Sequence, residues 1–305
     1  MLRLIVRARR PSGKSGMLRP TLGDPDQLAV ISEQFARDPA RDAALGDKFS
    51  GVLHDLCMGG VWKTTRRGRL PTTERTICAH IAADSHDEVS VLDLGASDGT
   101  TSLDLANALR AAFGDRIRVV MADLNLCLHR YRKGPLVEYR TANGEPVMAR
   151  IGRIGLPLAA TGRRTTAKPL AACYQKCRAL RNSMRPDLPI SLIHPLVRAE
   201  PAIQTMELDC LVHQSTLTDR FLCVRASNLL NRDYFSDDDI RMAVANIHDY
   251  LRDGGCLLVS RNVRQSAVES EQGTIWRKNG PRFVHLEDFG AGSEIKALVD
   301  RWTAA

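Results

Sequence analysis

The chain predicts an α/β fold, a doubly wound and mostly parallel sheet ending in an antiparallel hairpin strand, with N-terminal helices and an inserted basic subdomain. Three observations carry this. Residues 89–128 read strand, loop, helix, strand (VSVLDLG, ASDGT, TSLDLANALRAAF, IRVVMADLNL), a βαβ unit whose crossover makes its strands parallel. After residue 200 the same alternation returns as AIQTMELDC, RFLCVRASNLL, SDDDIRMAVANIHDYL and GCLLVSR, with Gly254-Gly255 turning helix into strand. Finally, TIWRKNGPRFVHLEDFG folds back at Asn279-Gly280, a dipeptide suited to the positive φ angles of a tight hairpin.

The remaining elements follow in order. Residues 1–23 mix Arg, Lys, Gly, Pro and Ser without periodicity and read as a flexible basic arm. GKSG within it lacks the upstream glycine and the Ser/Thr of a P-loop, and no strand precedes it. An N-terminal helical region over 24–88 holds DQLAVISEQFARD and ARDAALGDKFSGVLHDLC, whose apolar residues recur at three and four. GGVWKTTRRGRLP interrupts, and PTTERTICAHIAA resumes a helix with Thr72 or Thr73 as N-cap and Glu74 in the first turn. The core is expected at 89–129 and 201–305, with 130–200 as an inserted basic subdomain or lid that contains a hairpin at Asn143-Gly144 and a helix in PLAACYQKCRALRNSM. Ser236, with Asp239 three positions on, caps the helix after RFLCVRASNLL, and SEIKALVDRW closes the chain as a helix.

Charge and cysteine usage narrow the function classes. The net charge of +8 is unevenly placed: residues 130–200 hold 14 Lys/Arg against 4 Asp/Glu, and residues 1–20 hold 6 against none. An acidic partner is therefore expected at those two segments. The 8 cysteines are scattered, several inside apolar strands, as reduced core thiols are. Cys173 and Cys177 stand four apart, which is not a zinc-knuckle spacing, so no metal is expected. No apolar run approaches the ~20 residues needed to span a bilayer, and the opening residues do not make a signal peptide; a cytoplasmic protein is expected.

The loop VLDLGASDGTTS decides between cofactors. A dinucleotide site needs G-x-G-x-x-G so that backbone can approach a pyrophosphate, and Ser97 occupies the second glycine position. Asp93, at the strand end, suits a cationic amino group, and the backbone from Gly95 through Ala96 and Ser97 to Gly99 suits a ribose and a methionyl chain. Asp123 ends the second strand, where a carboxylate takes both ribose hydroxyls. Asp209 is placed for an adenine amino group, with Leu124 and Cys210 as apolar flanks.

On these residues the chain resembles the class I S-adenosylmethionine-dependent methyltransferases: VLDLGASDGTTS is similar to their first motif, ADLN to the acidic end of their second strand, MELDC to their third motif, and LRDGGCLLVSR to their helix-to-fifth-strand turn. The resemblance covers about residues 70–128 and 200–290 and implies a Rossmann-like core, S-adenosyl-L-methionine as cofactor and methyl transfer as the reaction. Such a fold places the acceptor at the carboxyl end of the fourth strand, so Arg225, Ser227, Asn228 and Tyr234 are acceptor-side candidates, with His213 as a candidate base. RASNLLNRDYF has some similarity to the same region of the chemotaxis-receptor carboxyl methyltransferases, but Ala226 and Ser227 part Arg225 from Asn228, and no matching receptor-binding domain is evident in these residues. The expected acceptor is an oxygen or nitrogen of an anionic small molecule or biosynthetic intermediate, and the expected partner an anionic small-molecule or lipid-linked acceptor. The few aromatics among the basic residues rank nucleic acid below it. A nucleic-acid methyltransferase and a non-catalytic cofactor-binding regulator are the alternatives.

Overall fold

In the computed structural model, residues 24–37, 42–54, 56–58, 61–63, 65–81, 88–151, 154–158, 174, 183–265 and 268–304 are described. The basic arm over 1–23, most of the helix expected over 169–184, and both Cys173 and Cys177 lie outside them. In chain order the elements are α1 (Asp26–Arg37), α2 (Asp42–His54), β1 (Cys57–Met58), β2 (Val61–Trp62), α3 (Pro71–His80), β3 (Val89–Leu94), α4 (Thr100–Phe113) and β4 (Ile117–Asp123). Next come β5 (Cys127–Lys133), β6 (Leu136–Arg140), β7 (Pro146–Ile151), β8 (Ile154–Pro157), β9 (Pro186–Ser191), α5 (Pro195–Ala199) and β10 (Ile203–Glu207). The last are β11 (Phe221–Ser227), α6 (Asp237–Tyr250), β12 (Leu251–Gln265), β13 (Val268–Asn279), β14 (Arg282–Phe289) and α7 (Lys296–Asp300).

The chain divides into two units, one of residues 1–65 with 125–196 and the other of 66–124 with 197–305. The helices over 26–54 thus belong with the insertion, and α3 with the core.

In the first unit, five antiparallel strands run in the order β8-β7-β6-β5-β9. Leu28, Ile31, Phe49 and Leu53 of α1 and α2 pack on Leu128, Tyr139, Met148 and Ile190 of the sheet, which is the amphipathic pattern expected of those helices. The turn at Asn143-Gly144 joins β6 to β7, with Gly144 at φ +80°. Ion pairs hold many of this unit's arginines: Arg130 bridges Asp26 and Asp187 at 2.9 Å each, Arg150 reaches Asp26 at 3.1 Å, and Arg140 binds the buried Glu138.

The second unit is a seven-stranded sheet in the order β10-β4-β3-β11-β12-β13-β14, parallel from β10 to β12 and antiparallel beyond. Every residue of β3 is buried, as a central strand covered on both faces requires. The chain proceeds outward from β3 through β4 to β10, then returns to β11 on the other side of β3. The order therefore reverses between β3 and β11, and the crevice at their carboxyl ends is where such sheets take ligands. β12 and β13 extend beyond the expected GCLLVSR and TIWRKN into a long ribbon paired from Cys256↔Arg277 to Gln265↔Val268.

The capping box at α6 is complete: Ser236 Oγ accepts from the Asp239 amide at 3.2 Å, and Asp239 accepts from the Ser236 amide at 3.0 Å. Ser236→Ala should cost about 1 kcal/mol of stability by urea titration. At α3 the expected Thr cap gives way to a different solution. Leu70 is the N-cap residue without a side-chain bond, Pro71 opens the helix, and the amides of Thr72 and Thr73 donate to the Glu271 carboxylate at 2.7 and 2.8 Å.

Candidate functional site

The loop after β3 is built on left-handed backbone. Gly95, Ser97 and Gly99 have φ of +72°, +62° and +84°. A Cβ on Gly99 would meet Met121 Sδ at 2.6 Å and a Val197 methyl at 2.9 Å, so this glycine is required by space as well as by φ. Ser97 has no such freedom; its conformation is held because its amide donates to Asp123 Oδ2 at 2.7 Å. The Gly95 and Ala96 amides both reach the Ala122 carbonyl, at 2.8 and 3.1 Å, and Asp98 Oδ1 takes the Thr100 amide at 2.9 Å. The loop is thereby laced to the end of β4.

Of the residues expected to bind cofactor, Gly95, Ala96, Ser97, Gly99 and Asp123 are brought together by these contacts. Leu124 follows Asp123 and is 49% exposed, an apolar surface at the crevice rim. The Leu208 amide donates to the Asp123 carbonyl at 3.0 Å, which sets the half-buried Asp209 at the same edge, where its side chain takes the Leu211 amide at 2.9 Å. Cys210 is buried, and burial pushes its thiol up to about 12, so it is an inert packing residue.

Asp93 needs correction. It is 1% exposed, and Arg225, directly opposite in β11, binds it in bidentate fashion, Nε to Oδ1 at 2.8 Å and Nη2 to Oδ2; Ser102 Oγ adds a third bond at 2.6 Å. Both Asp93 oxygens are therefore occupied from within the core. The acceptor-side assignment of Arg225 fails for the same reason, since it is fully buried and spent on Asp93. An arginine and an aspartate in two otherwise apolar central strands were the sequence signal for this pair.

Ser227 is also turned inward: its Oγ meets Ser260 Oγ at 2.8 Å, which in turn meets Thr73 Oγ1 at 3.0 Å. Asn228, at φ +57°, exchanges bonds with Asn262, its Oδ1 taking the Asn262 amide at 2.9 Å and its Nδ2 reaching Asn262 Oδ1 at 3.1 Å. Two non-glycine residues in left-handed backbone, Ser97 and Asn228, thus mark the carboxyl ends of the two strands that flank the crevice. Tyr234 is half-buried just beyond, near Arg69. His213 lies elsewhere. It stacks on Tyr250 and faces Asp249 at 3.5 Å, at the last turn of α6, where β11 begins, rather than at the carboxyl end of β11. Its proximity to Asp209 in sequence is undone by the chain running back along the sheet to reach β11.

Residues that sequence reasoning missed as individuals come from the stretch before α3. The Arg69 carbonyl accepts from Asn262 Nδ2 at 3.0 Å, and burial lowers the Arg69 guanidinium below the usual range, opposed by Glu269. Arg66 pairs with Glu269 at 2.7 Å and Arg67 with Asp104 at 3.2 Å, so carboxylates already offset this basic loop. Glu74, in the first turn of α3, has its carboxyl raised to about 7 by burial, with Arg225 opposing and Asp104, Glu271 and Asp93 adding to the rise. Several buried polar atoms around the crevice have no hydrogen-bond partner among the described residues: Ser97 Oγ, Thr100 Oγ1, Glu74 Oε1 and Arg225 Nη1. Among the described residues no group of three or more His, Cys, Asp or Glu is arranged for a metal, and no helix is long and apolar enough to cross a membrane.

No family model matches the chain, and no curated protein matches it. Among solved structures it is similar to the methyltransferase domain of the citrinin polyketide synthase (14% identity over 80% of this chain and 41% of that one, TM-score 0.31) and to the CurJ carbon methyltransferase (11%, 79% and 52%, TM-score 0.37). It is also similar to PKMT2 from Rickettsia typhi in complex with AdoHcy (11%, 64% and 25%, TM-score 0.31). The chain spans about half or less of the length of these structures. Likenesses this weak carry no weight for its fold or function, and the fold rests on the strand order above.

Proposed function

We propose that this chain is an S-adenosylmethionine-dependent methyltransferase. The observation that carries the reading is the carboxylate pairing of the loop at the switch point. In a pyrophosphate site the loop and helix amides face the ligand's negative charge. Here the Ser97 amide is held by Asp123 and the Thr100 amide by the buried Asp98, so both amides are already committed to carboxylates and a diphosphate would meet negative charge beside them. A sulfonium cofactor with no phosphate suits that surface.

The residues fit such a group. Asp123 stands at the end of β4 beside the loop, where a carboxylate suits ribose hydroxyls, Leu124 offers an apolar face to adenine with Asp209 at the same edge, and the orphaned Ser97 and Thr100 hydroxyls line the loop. When bound, S-adenosylmethionine supplies a methyl group on a positively charged sulfur. The chain's own part is to hold and orient that group against an acceptor and to exclude water. At the acceptor side, Asn228 is locked by Asn262 and serves to position the loop after β11.

The acceptor we propose is an oxygen or nitrogen of a small anionic or lipid-linked molecule. The support is the basic excess of residues 130–200, of which Arg153, Arg163, Arg164, Lys168, Lys176, Arg178 and Arg181 lie outside the described residues. Calorimetry should show binding of S-adenosylhomocysteine and none of NAD; the reverse would remove the reading. With methyl-labelled cofactor and fractionated cell extract, label should enter the small-molecule or lipid fraction. Label in nucleic acid, lost steeply with added salt, would replace the acceptor class.

A further inference from the structure

Glu74 is held by a fixed turn beside the crevice. The amides of Thr72 and Thr73 are bound by Glu271 of β13, and Thr73 Oγ1 connects through Ser260 Oγ of β12 to Ser227 Oγ at the carboxyl end of β11. The charges that act on the Glu74 carboxyl are Arg225 on β11, Asp104 on α4, Glu271 on β13 and Asp93 on β3. Three of these four are carboxylates, and the one cation is already spent in bidentate fashion on Asp93. Glu74 Oε1 is buried with no hydrogen-bond partner among the described residues. A desolvated carboxylate with an orphaned oxygen, surrounded by others of its sign, is complemented by a cation from outside. The residue whose position at the end of β3 suits that cation, Asp93, has both oxygens taken by Arg225 and Ser102.

We infer that Glu74, not Asp93, receives the α-ammonium group at the amino-acid end of the cofactor. This rests on the methyltransferase reading above. Its consequence is a coupling between cofactor affinity and pH. The Glu74 carboxyl, raised to about 7 by burial, is neutral below that pH and gives an ammonium no ionic partner there. Binding of the cation favours the ionised form and expels a proton, so affinity rises with pH up to about 7 and levels above it, with a limiting slope of about tenfold per pH unit.

The test compares S-adenosylhomocysteine, which carries the ammonium, with 5′-methylthioadenosine, which lacks the amino-acid end. Both are titrated into the wild-type chain and Glu74→Gln between about pH 6 and about pH 8. In the wild type, S-adenosylhomocysteine should tighten with pH while 5′-methylthioadenosine stays level. Glu74→Gln should weaken S-adenosylhomocysteine by about tenfold or more at the upper pH, flatten its profile and leave 5′-methylthioadenosine unchanged. Equal binding of S-adenosylhomocysteine by the variant, or a parallel loss of both ligands, overturns the role of Glu74 and leaves the cofactor assignment standing. If the wild type binds neither ligand, the cofactor assignment and the role of Glu74 fall together. Glu74→Gln removes a desolvated charge, so above about pH 7 it should melt no lower than the wild type.

Discussion

Arg225→Met should destabilise the unit that contains the seven-stranded sheet by about 3–5 kcal/mol, because it strands the Asp93 carboxylate in the core with the Ser102 hydroxyl in place of an ion pair. An ion pair buried this deeply is not in itself a strong source of stability; the cost lies in breaking it from one side. The double variant Asp93→Leu with Arg225→Met should therefore recover most of the loss, since it removes both charges and refills the space with apolar atoms. Urea unfolding followed by the fluorescence of Trp276, which is fully buried in β13, reads the relevant unit. The single variant also carries a pH signature. A lone buried carboxylate favours its neutral form, so the folded state holds a proton that the unfolded chain gives up above about pH 4, and the deficit grows as pH rises through that range. A loss below about 1 kcal/mol in Arg225→Met, or a double variant no better than the single, would show that the pair is not sealed in the core as its geometry requires.

That pair shows where the sequence stops being legible. The βαβ unit, the glycine loop, the Ser236 cap and the turns at Asn143-Gly144 and Asn279-Gly280 are local, and their residue types dictate them within a few positions. The α3 cap, the Asp93–Arg225 pair and the surroundings of Glu74 each join segments more than a hundred residues apart, or nearly two hundred in the case of Glu271 and Thr72. Asp93 read as a ligand-facing carboxylate because a strand end is where such groups stand, and only the register of β3 against β11 shows that Arg225 lies opposite it. His213 fails in the converse way, being near Asp209 in sequence but set against the last turn of α6. The grouping of residues 26–54 with the insertion was likewise hidden, since amphipathic spacing shows that a helix has an apolar face and not which strands will cover it.

The second large effect is expected at Asp123. Its Oδ2 fixes the left-handed Ser97 by accepting the amide, and its carboxylate is the group proposed for the ribose hydroxyls. Asp123→Ala removes both functions, and with charge-assisted hydrogen bonds lost to each, S-adenosylhomocysteine affinity should fall by about 2–4 kcal/mol, roughly 30- to 1,000-fold. Asp123→Asn separates them: the amide oxygen can still accept from Ser97 and preserve the loop, while the charge on the ribose hydroxyls is gone, so an intermediate loss is expected. The same substitutions test whether the loop disfavours phosphates. Freed from Asp123, the Ser97 amide is again a donor for an anion, and the nearby negative charge has been removed. Asp123→Ala should then bind NAD or inorganic diphosphate more tightly than the wild type does, even as it loses S-adenosylhomocysteine. Opposite movements of the two ligands are what a carboxylate-guarded loop predicts, because simple unfolding would weaken both. If S-adenosylhomocysteine binding were unchanged in Asp123→Ala, the crevice between β3 and β11 would not be the cofactor site.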